Sequence, residues 1–427
     1  MNADWSMRGH RWVLSALSPF LLATTTLGGC SAPIAPTASG YFVAYHSLGL
    51  PNTGRQPESV ISDGIDRHLK TVFISDILDD PTNNEDSAEV YPTLQRIARQ
   101  EGFTIKVVEG SPSVWIRDDF VALSDGVLLA PSQNPHFMDA LKDLKAYRDP
   151  PGHVYNATQG RVGRRHEIAA YERHARENGL VIRVSRVYLE GGNVMVVPKA
   201  DGTKGVLIGM SSLLISTFLL SLEGAFPPGV SFPRKLEATK LIIAKDLGVD
   251  PSQVTYLDQP EFHLDTFLTP GEHGKIFIED PGYSNATINA LLRDPGLSRV
   301  ERDTLEEKLY PAPSLRNLRA ELKPTIDELR NAGYQVIGVP GEYNPRPPGE
   351  YEHHPVEDTD FMNGLVATGK NGGKYDIVGQ SPTAPLNGAF RKVMARYGIT
   401  VFFVPDAQGL LYERGSIHCV TNEQIEP

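Results

Sequence analysis

The sequence predicts an α/β protein in which short strands alternate with helices. Two observations carry this expectation. From about residue 70 onward, apolar runs of strand length alternate with longer stretches of helical character. The 39 glycines and 33 prolines spread through 427 residues demand many turns, which suits many short elements and excludes a long coiled coil. In order, Lys70 to Ile77 reads as a strand, Ala88 to Gly102 as a helix and Phe103 to Val108 as a strand. Further strands are expected at Val114 to Leu123, Gly126 to Ala130, Val181 to Leu189, Val194 to Val197, Gly205 to Ile208 and Val254 to Leu257. They continue at Leu264 to Leu268, Lys275 to Ile278, Tyr334 to Val339, Gly364 to Thr368, Tyr375 to Val378, Thr400 to Phe403 and Ile417 to Thr421. Helices fit Arg164 to Gly179, Leu236 to Leu247, Asn285 to Asp294, Ser314 to Gly333 and Leu386 to Tyr397. Two turns, Pro270-Gly271-Glu272-His273-Gly274 and Gly369-Lys370-Asn371-Gly372-Gly373, join neighbouring strands as hairpins, so the sheets are not uniformly parallel. Strand pairs followed by a helix suggest small repeated units, although no repeat is visible in the residues themselves.

The formal charge of −11 argues against nucleic-acid binding by bulk electrostatics and fits a cationic substrate better. Only two cysteines occur, Cys30 and Cys419, so a disulfide framework is not expected. Arg8 and Arg11 precede an apolar stretch from about Val13 to Leu27 that ends in Leu27-Gly28-Gly29-Cys30. These are the charged, apolar and small-residue regions of an export signal. The stretch is shorter than the ~20 residues needed to span a bilayer, and Pro19 interrupts it. The ending resembles the bacterial lipobox, in which the cysteine becomes the lipidated first residue of the mature chain. The organisation expected is therefore a signal over 1–29, a lipid anchor and tether over 30–60, and one domain over 61–427. Ser31 after the lipidated cysteine implies anchoring at the outer membrane or cell surface of a bacterium.

Three segments place polar residues in apolar surroundings. In Val114-Trp115-Ile116-Arg117-Asp118-Asp119-Phe120, strand alternation would put Asp118 on the face of Ile116 and Phe120, where a carboxylate needs a cation or several donors. In His263-Leu264-Asp265-Thr266-Phe267, the spacing of two lets His263 and Asp265 enter one cleft as a general acid/base beside a carboxylate. In Gly415-Ser416-Ile417-His418-Cys419-Val420-Thr421-Asn422, Cys419 is a candidate nucleophile with His263 as its proton shuttle. Glu190-Gly191-Gly192-Asn193 reads as a tight turn. Glu352-His353-His354 reads as a solvated loop, and Arg161, Arg164 and Arg165 begin an amphipathic helix with a solvated face.

Trp115-x-Arg117-Asp118, Glu190-Gly191-Gly192-Asn193, His263-x-Asp265 and His418-Cys419-x-Thr421-Asn422 occur in the order found in guanidino-group-modifying enzymes. The chain most resembles the catalytic domain of the protein-arginine deiminases, over roughly residues 65–427, with Asn363-Gly364-Leu365-Val366 included. The resemblance implies a five-bladed α/β propeller of ββαβ-type units, the pentein fold. It implies that Asp118 and Asp265 clamp a guanidinium, that the Cys419 thiolate attacks its carbon, and that His263 protonates departing ammonia and then activates water. Trp115, Arg117, Glu190, Asn193 and Asn363 are secondary candidates for substrate contact. The implied partners are an arginine-containing peptide or protein or a small guanidine, with peptidyl-arginine the leading substrate. A deiminase for free arginine or agmatine, an amidinotransferase and a non-catalytic arginine binder are the alternatives. Vertebrate members use calcium, but Arg117 and Val121 stand at positions that supply its ligands, so no cofactor is expected at that place.

Overall fold

The computed structural model describes residues 65–79, 87–111, 113–133, 137, 139–140, 167–260, 263–341, 360–407, 410 and 415–425. The expected signal, Cys30, the tether, Arg161 to Arg165 and the Glu352-His353-His354 segment lie outside them.

Strand β1 (Leu69–Ser75) pairs in parallel with β2 (Thr104–Val108) across a crossover that contains helix α1 (Val90–Glu101). Helix α1 buries Val90, Leu94, Ile97 and Ala98, the i, i+4, i+7 and i+8 positions of one face. It stops at Gly102, which adopts φ 91° and donates its N–H to Ala98 O at 2.8 Å. The next four sheets share one plan, in which a hairpin is followed by a helical crossover to a parallel third strand. They are β3 (Val121–Leu123), β4 (Val127–Ala130) and β5 (Val181–Val184), then β6 (Val194–Pro198), β7 (Lys204–Gly209) and β8 (Val254–Leu257). There follow β9 (Leu268–Pro270), β10 (Lys275–Glu279) and β11 (Gln335–Val339), and finally β12 (Leu365–Thr368), β13 (Lys374–Gly379) and β14 (Ile399–Val404).

The fifth sheet is completed from the far end of the chain. Strand β15 (Asn422–Ile425) pairs antiparallel with β1, so Phe73 lies opposite Asn422. Sheet β15-β1-β2 therefore has the same plan as the others, with its first strand supplied last. The crossover helices are α2 (Glu167–Glu177), α3 (Met210–Leu222), α4 (Phe232–Asp246), α5 (Pro281–Leu291), α6 (Arg299–Glu307), α7 (Ala312–Asn331) and α8 (Ala384–Ala395). Among the described residues no helix is long and apolar enough to cross a membrane.

Several expected strands are corrected. The run from Val114 to Leu123 is interrupted by a 3₁₀ turn at Ile116–Asp119, and only Val121–Leu123 is a strand. Three successive charged residues have no place in a buried strand, whereas a turn buries Ile116 and Phe120 on one side and turns Asp118 away. A similar turn takes Leu264–Thr266, and the expected strand at Ile417 to Thr421 is a series of turns before β15. The strand begun at Val181 ends at Val184 rather than Leu189. The strand expected over Lys70 to Ile77 ends at Ser75, where a single helical turn, Asp76–Asp79, begins. Two longer helices were also not expected. Helix α3 has no amphipathic period, because its apolar residues are interspersed with small hydroxyl side chains that are themselves buried, and it packs against β7 and α4. Helix α6 is short but carries a capping box from Ser298 and Glu301.

Candidate active site

Each of five segments that immediately precede the first strand of a sheet brings a polar group to one place. They are Ile116–Asp119 before β3, Gly191–Asn193 before β6, Leu264–Thr266 before β9, Asp360 to Gly364 before β12, and Ser416 to Thr421 before β15. Flanking apolar side chains pin each one. Ile116 and Phe120 flank Asp118, Leu264 and Phe267 flank Asp265, and Ile417 and Val420 flank Cys419, all at most 3% exposed. Full burial of such a side chain contributes roughly 1.5–3 kcal/mol, enough to hold the polar residues between them out of register with the core.

His263 is the hub. Its Nε2 lies 2.8 Å from Glu190 Oε2 and its Nδ1 lies 3.4 Å from Asp118 Oδ1. Burial favours the neutral ring, but the carboxylates of Asp118 and Glu190 overcome it and raise the imidazole to about 9. The group is therefore an imidazolium at neutral pH. Gly192 explains the glycine pair before Asn193. A Cβ there would stand 2.7 Å from His263 Nδ1 and 3.0 Å from each carboxylate oxygen of Asp265. The backbone of Gly192 thus forms part of the wall between the two side chains. Asn193 turns the other way, donating from Nδ2 to Ser211 Oγ at 3.0 Å and Ser212 Oγ at 2.8 Å, which fastens the turn to the start of α3.

Asp265 Oδ2 lies 2.7 Å from His418 Nδ1 and 3.7 Å from Cys419 Sγ. Burial pushes this carboxyl up, yet His418 and His263 bring it below the usual range. Its other oxygen, Oδ1, is buried with no hydrogen-bond partner among the described residues. Behind it, His418 Nε2 lies 3.6 Å from Glu423 Oε1, and Glu423 Oε2 lies 3.3 Å from Arg117 Nη1. A chain of polar contacts thus runs from Arg117 through Glu423 and His418 to Asp265.

Cys419 is 2% exposed. Burial and the charges of Asp265 and Asp118 push its thiol well above the ordinary range. Asn363 holds it. The amide Nδ2 donates to Sγ at 3.1 Å and to Asp265 O at 3.2 Å, while Oδ1 accepts from Ser416 N at 2.8 Å and Cys419 N at 3.1 Å.

The structure thus brings Cys419, His263, Asp118, Asp265, Glu190 and Asn363 together. Asn193 faces α3, Arg117 is buried against Glu423, and Trp115 packs its ring over Gly415 beside the core. His418 and Glu423 were not expected to take part, though His418 stood next to the candidate nucleophile in the sequence. Arg117 and buried Val121 do not fit calcium ligation, and Asp119 accepts a 2.6 Å hydrogen bond from Tyr171. Among the described residues no group of three His, Cys, Asp or Glu side chains is arranged to hold a metal ion.

No protein-family model matches the chain, and no curated protein matches it in sequence. Among solved structures it is similar to an agmatine deiminase of C. jejuni, at 14% identity over 88% of this chain and 99% of that one, with a TM-score of 0.48. It is also similar to an agmatine deiminase of Enterococcus faecalis, at 16% identity over 87% and 95% of the two chains, TM-score 0.43. A third, provisionally described as a peptidyl-arginine deiminase, is 14% identical over 87% of this chain and all of that one, TM-score 0.47.

Proposed function

We propose that the protein hydrolyses a guanidinium group to a ureido group and ammonia, with peptidyl-arginine as its leading substrate. One observation carries the reading: a buried thiol stands beside the carboxylate of Asp265, within a site that also holds Asp118, Glu190 and the protonated ring of His263. A planar cation with paired N–H donors satisfies such carboxylates. Asp265 Oδ1, buried with no hydrogen-bond partner, is an acceptor ready for one of those donors.

The same cation would activate the nucleophile. Asp265 and Asp118 raise the thiol because their charges oppose a thiolate, and a bound guanidinium offsets both. As the guanidinium binds, the thiol releases its proton to solvent, and Sγ of Cys419, now a thiolate, forms a bond to the guanidinium carbon. The C–N bond to one terminal nitrogen breaks, and that nitrogen leaves as ammonia with a proton from the His263 imidazolium. The neutral ring next takes a proton from water as the water oxygen attacks the thiouronium carbon. The C–S bond breaks, releasing the ureido product and restoring the thiol. The five sheets of common plan are proposed as five blades of a propeller, with the site where their leading turns meet. Arg8, Arg11 and the Leu27-Gly28-Gly29-Cys30 ending support export and lipid anchoring at Cys30.

The test is ureido and ammonia production by residues 31–427 offered an arginine peptide, free arginine and agmatine, beside Cys419→Ser. Ureido product from the peptide alone, lost in the variant, supports the full reading. Turnover of agmatine or free arginine instead assigns the reaction to a small guanidine, and turnover of none refutes deimination.

A further inference from the structure

We propose that Asp360 is a positioning residue for the Cys419 thiol and acts through Asn363. Asn363 is fully buried and spends its whole amide on Ser416, Cys419 and Asp265. Its own backbone carbonyl accepts from His418 N at 3.0 Å. The geometry at Sγ is therefore only as definite as the backbone that presents Asn363.

That backbone is held from below by carboxylates. Asp360 Oδ1 accepts the N–H of Met362 at 2.8 Å and of Asn363 at 3.0 Å, and Glu279 Oε1 accepts the N–H of Phe361 at 3.2 Å. Three successive N–H groups are thus satisfied by side-chain oxygens just before β12 begins. The following residue, Gly364, fits against the carboxylate of Asp376, whose Oδ1 would collide with any Cβ there. Asp376 is fully buried, and neither of its oxygens has a hydrogen-bond partner among the described residues. The charged groups facing Asp360 are Asp265 and Asp376. Burial raises Asp360 to about 7 against its two N–H bonds, and burial together with Asp360 raises Asp376 well above the carboxylate range. Burial thus disfavours the charge on both carboxyl groups, while Asp360 keeps its hold on the turn.

The inference rests on the proposed reaction for its meaning, but its test needs no substrate. Alkylation of Cys419 by iodoacetamide, followed by mass spectrometry of the Cys419 peptide across pH 6–10, reads the thiol directly. Asn363→Ala removes the amide hydrogen bond to sulfur, and about tenfold slower alkylation at pH 8, with the profile moved to higher pH, is expected. Asp360→Ala is expected to match it. Asp360→Asn, which retains an oxygen acceptor, returns the rate to within about threefold of the unaltered protein. The decisive arm is the double variant. Asp360→Ala on top of Asn363→Ala should add less than about twofold, because both act on one contact.

Wild-type alkylation in Asp360→Ala overturns the proposal, and so do multiplying effects in the double variant or a failure of Asp360→Asn to recover. If circular dichroism shows Asp360→Ala unfolded, Asp360→Leu, which keeps the side-chain shape without an oxygen acceptor, replaces it in the same cycle, and the same non-additivity is required. Absence of turnover with every guanidine would refute the proposed function and leave this result readable.

Discussion

Glu190→Gln isolates the charge that makes His263 an acid. The substitution preserves size and an oxygen acceptor at the 2.8 Å contact with Nε2, but removes the negative charge. The rise of His263 from the ordinary 6.5 to about 9 corresponds to roughly 3 kcal/mol of preference for the imidazolium. That preference is net of a burial cost, so the carboxylates around the ring supply more than this. Asp118 contributes from 3.4 Å and remains in the variant. A fall of roughly a hundredfold in the proton affinity of the ring is expected when the nearer, hydrogen-bonded carboxylate loses its charge. At pH 8 the protonated fraction then drops from about nine-tenths to about one-tenth, and kcat should fall about tenfold relative to the unaltered protein. At pH 6 both proteins hold the proton, and the ratio of kcat values should lie within about twofold. The assay is colorimetric ureido formation at saturating substrate over pH 5.5–9.5, with the His263 ring followed by NMR against a His263→Asn control. An alkaline limb that does not move, or an equal loss at pH 6 and pH 8, would refute the assignment of His263 as the acid.

Gly192→Ala introduces a Cβ 2.7 Å from His263 Nδ1 and 3.0 Å from both Asp265 oxygens, so kcat/KM should fall by about a hundredfold. A thermal melt within a few degrees of the parent should accompany that loss, since the methyl enters the cleft rather than a packed core. His418→Phe removes the 2.7 Å donor to Asp265 Oδ2, leaving that carboxylate free to rotate, and KM for the guanidine should rise about tenfold or more. Steady-state kinetics with KM unchanged would count against the orienting role of His418. His263 also makes stability depend on pH. Its folded value of about 9 lies above 6.5, so its contribution is complete below about pH 6.5 and is lost as pH rises through 9, by at most roughly 3 kcal/mol. Urea unfolding at pH 6.5 and 9.5 measures this, and Glu190→Gln should shrink the difference.

The parts of the site that were legible in the sequence are those whose signal is local. His263 and Asp265 were assigned to one cleft from a spacing of two, and both side chains lie against Gly192, although the backbone that delivers them is an extended residue followed by a 3₁₀ turn. The same spacing rule does not hold at Asp118, because Ile116–Asp119 is a 3₁₀ turn rather than a strand and successive side chains no longer alternate between two faces. Helix α3 was missed for want of a period, and α6 although Ser298-x-x-Glu301 marks its start. The contacts of Arg117 with Glu423 and of His418 with Asp265 had no local signal, since each joins segments more than a hundred residues apart. What unites them is the plan of the sheets. A segment entering the first strand of a hairpin has not yet joined the ladder, so its backbone and polar side chains must find partners elsewhere. Five such segments meet and satisfy one another, as Arg117 N does on Cys419 O at 3.1 Å and His418 N on Asn363 O. The chemistry therefore sits where the fold has the most polar groups left to pair, and the spacing of residues 118, 190, 265, 363 and 419 along the chain is set by the length of each unit. A polar motif placed just ahead of an apolar hairpin, recurring once per unit, is the sequence pattern that corresponds to this geometry. It is visible only after the hairpins are located, because β15, which leads the fifth unit, lies at the opposite end of the chain from the two strands it completes.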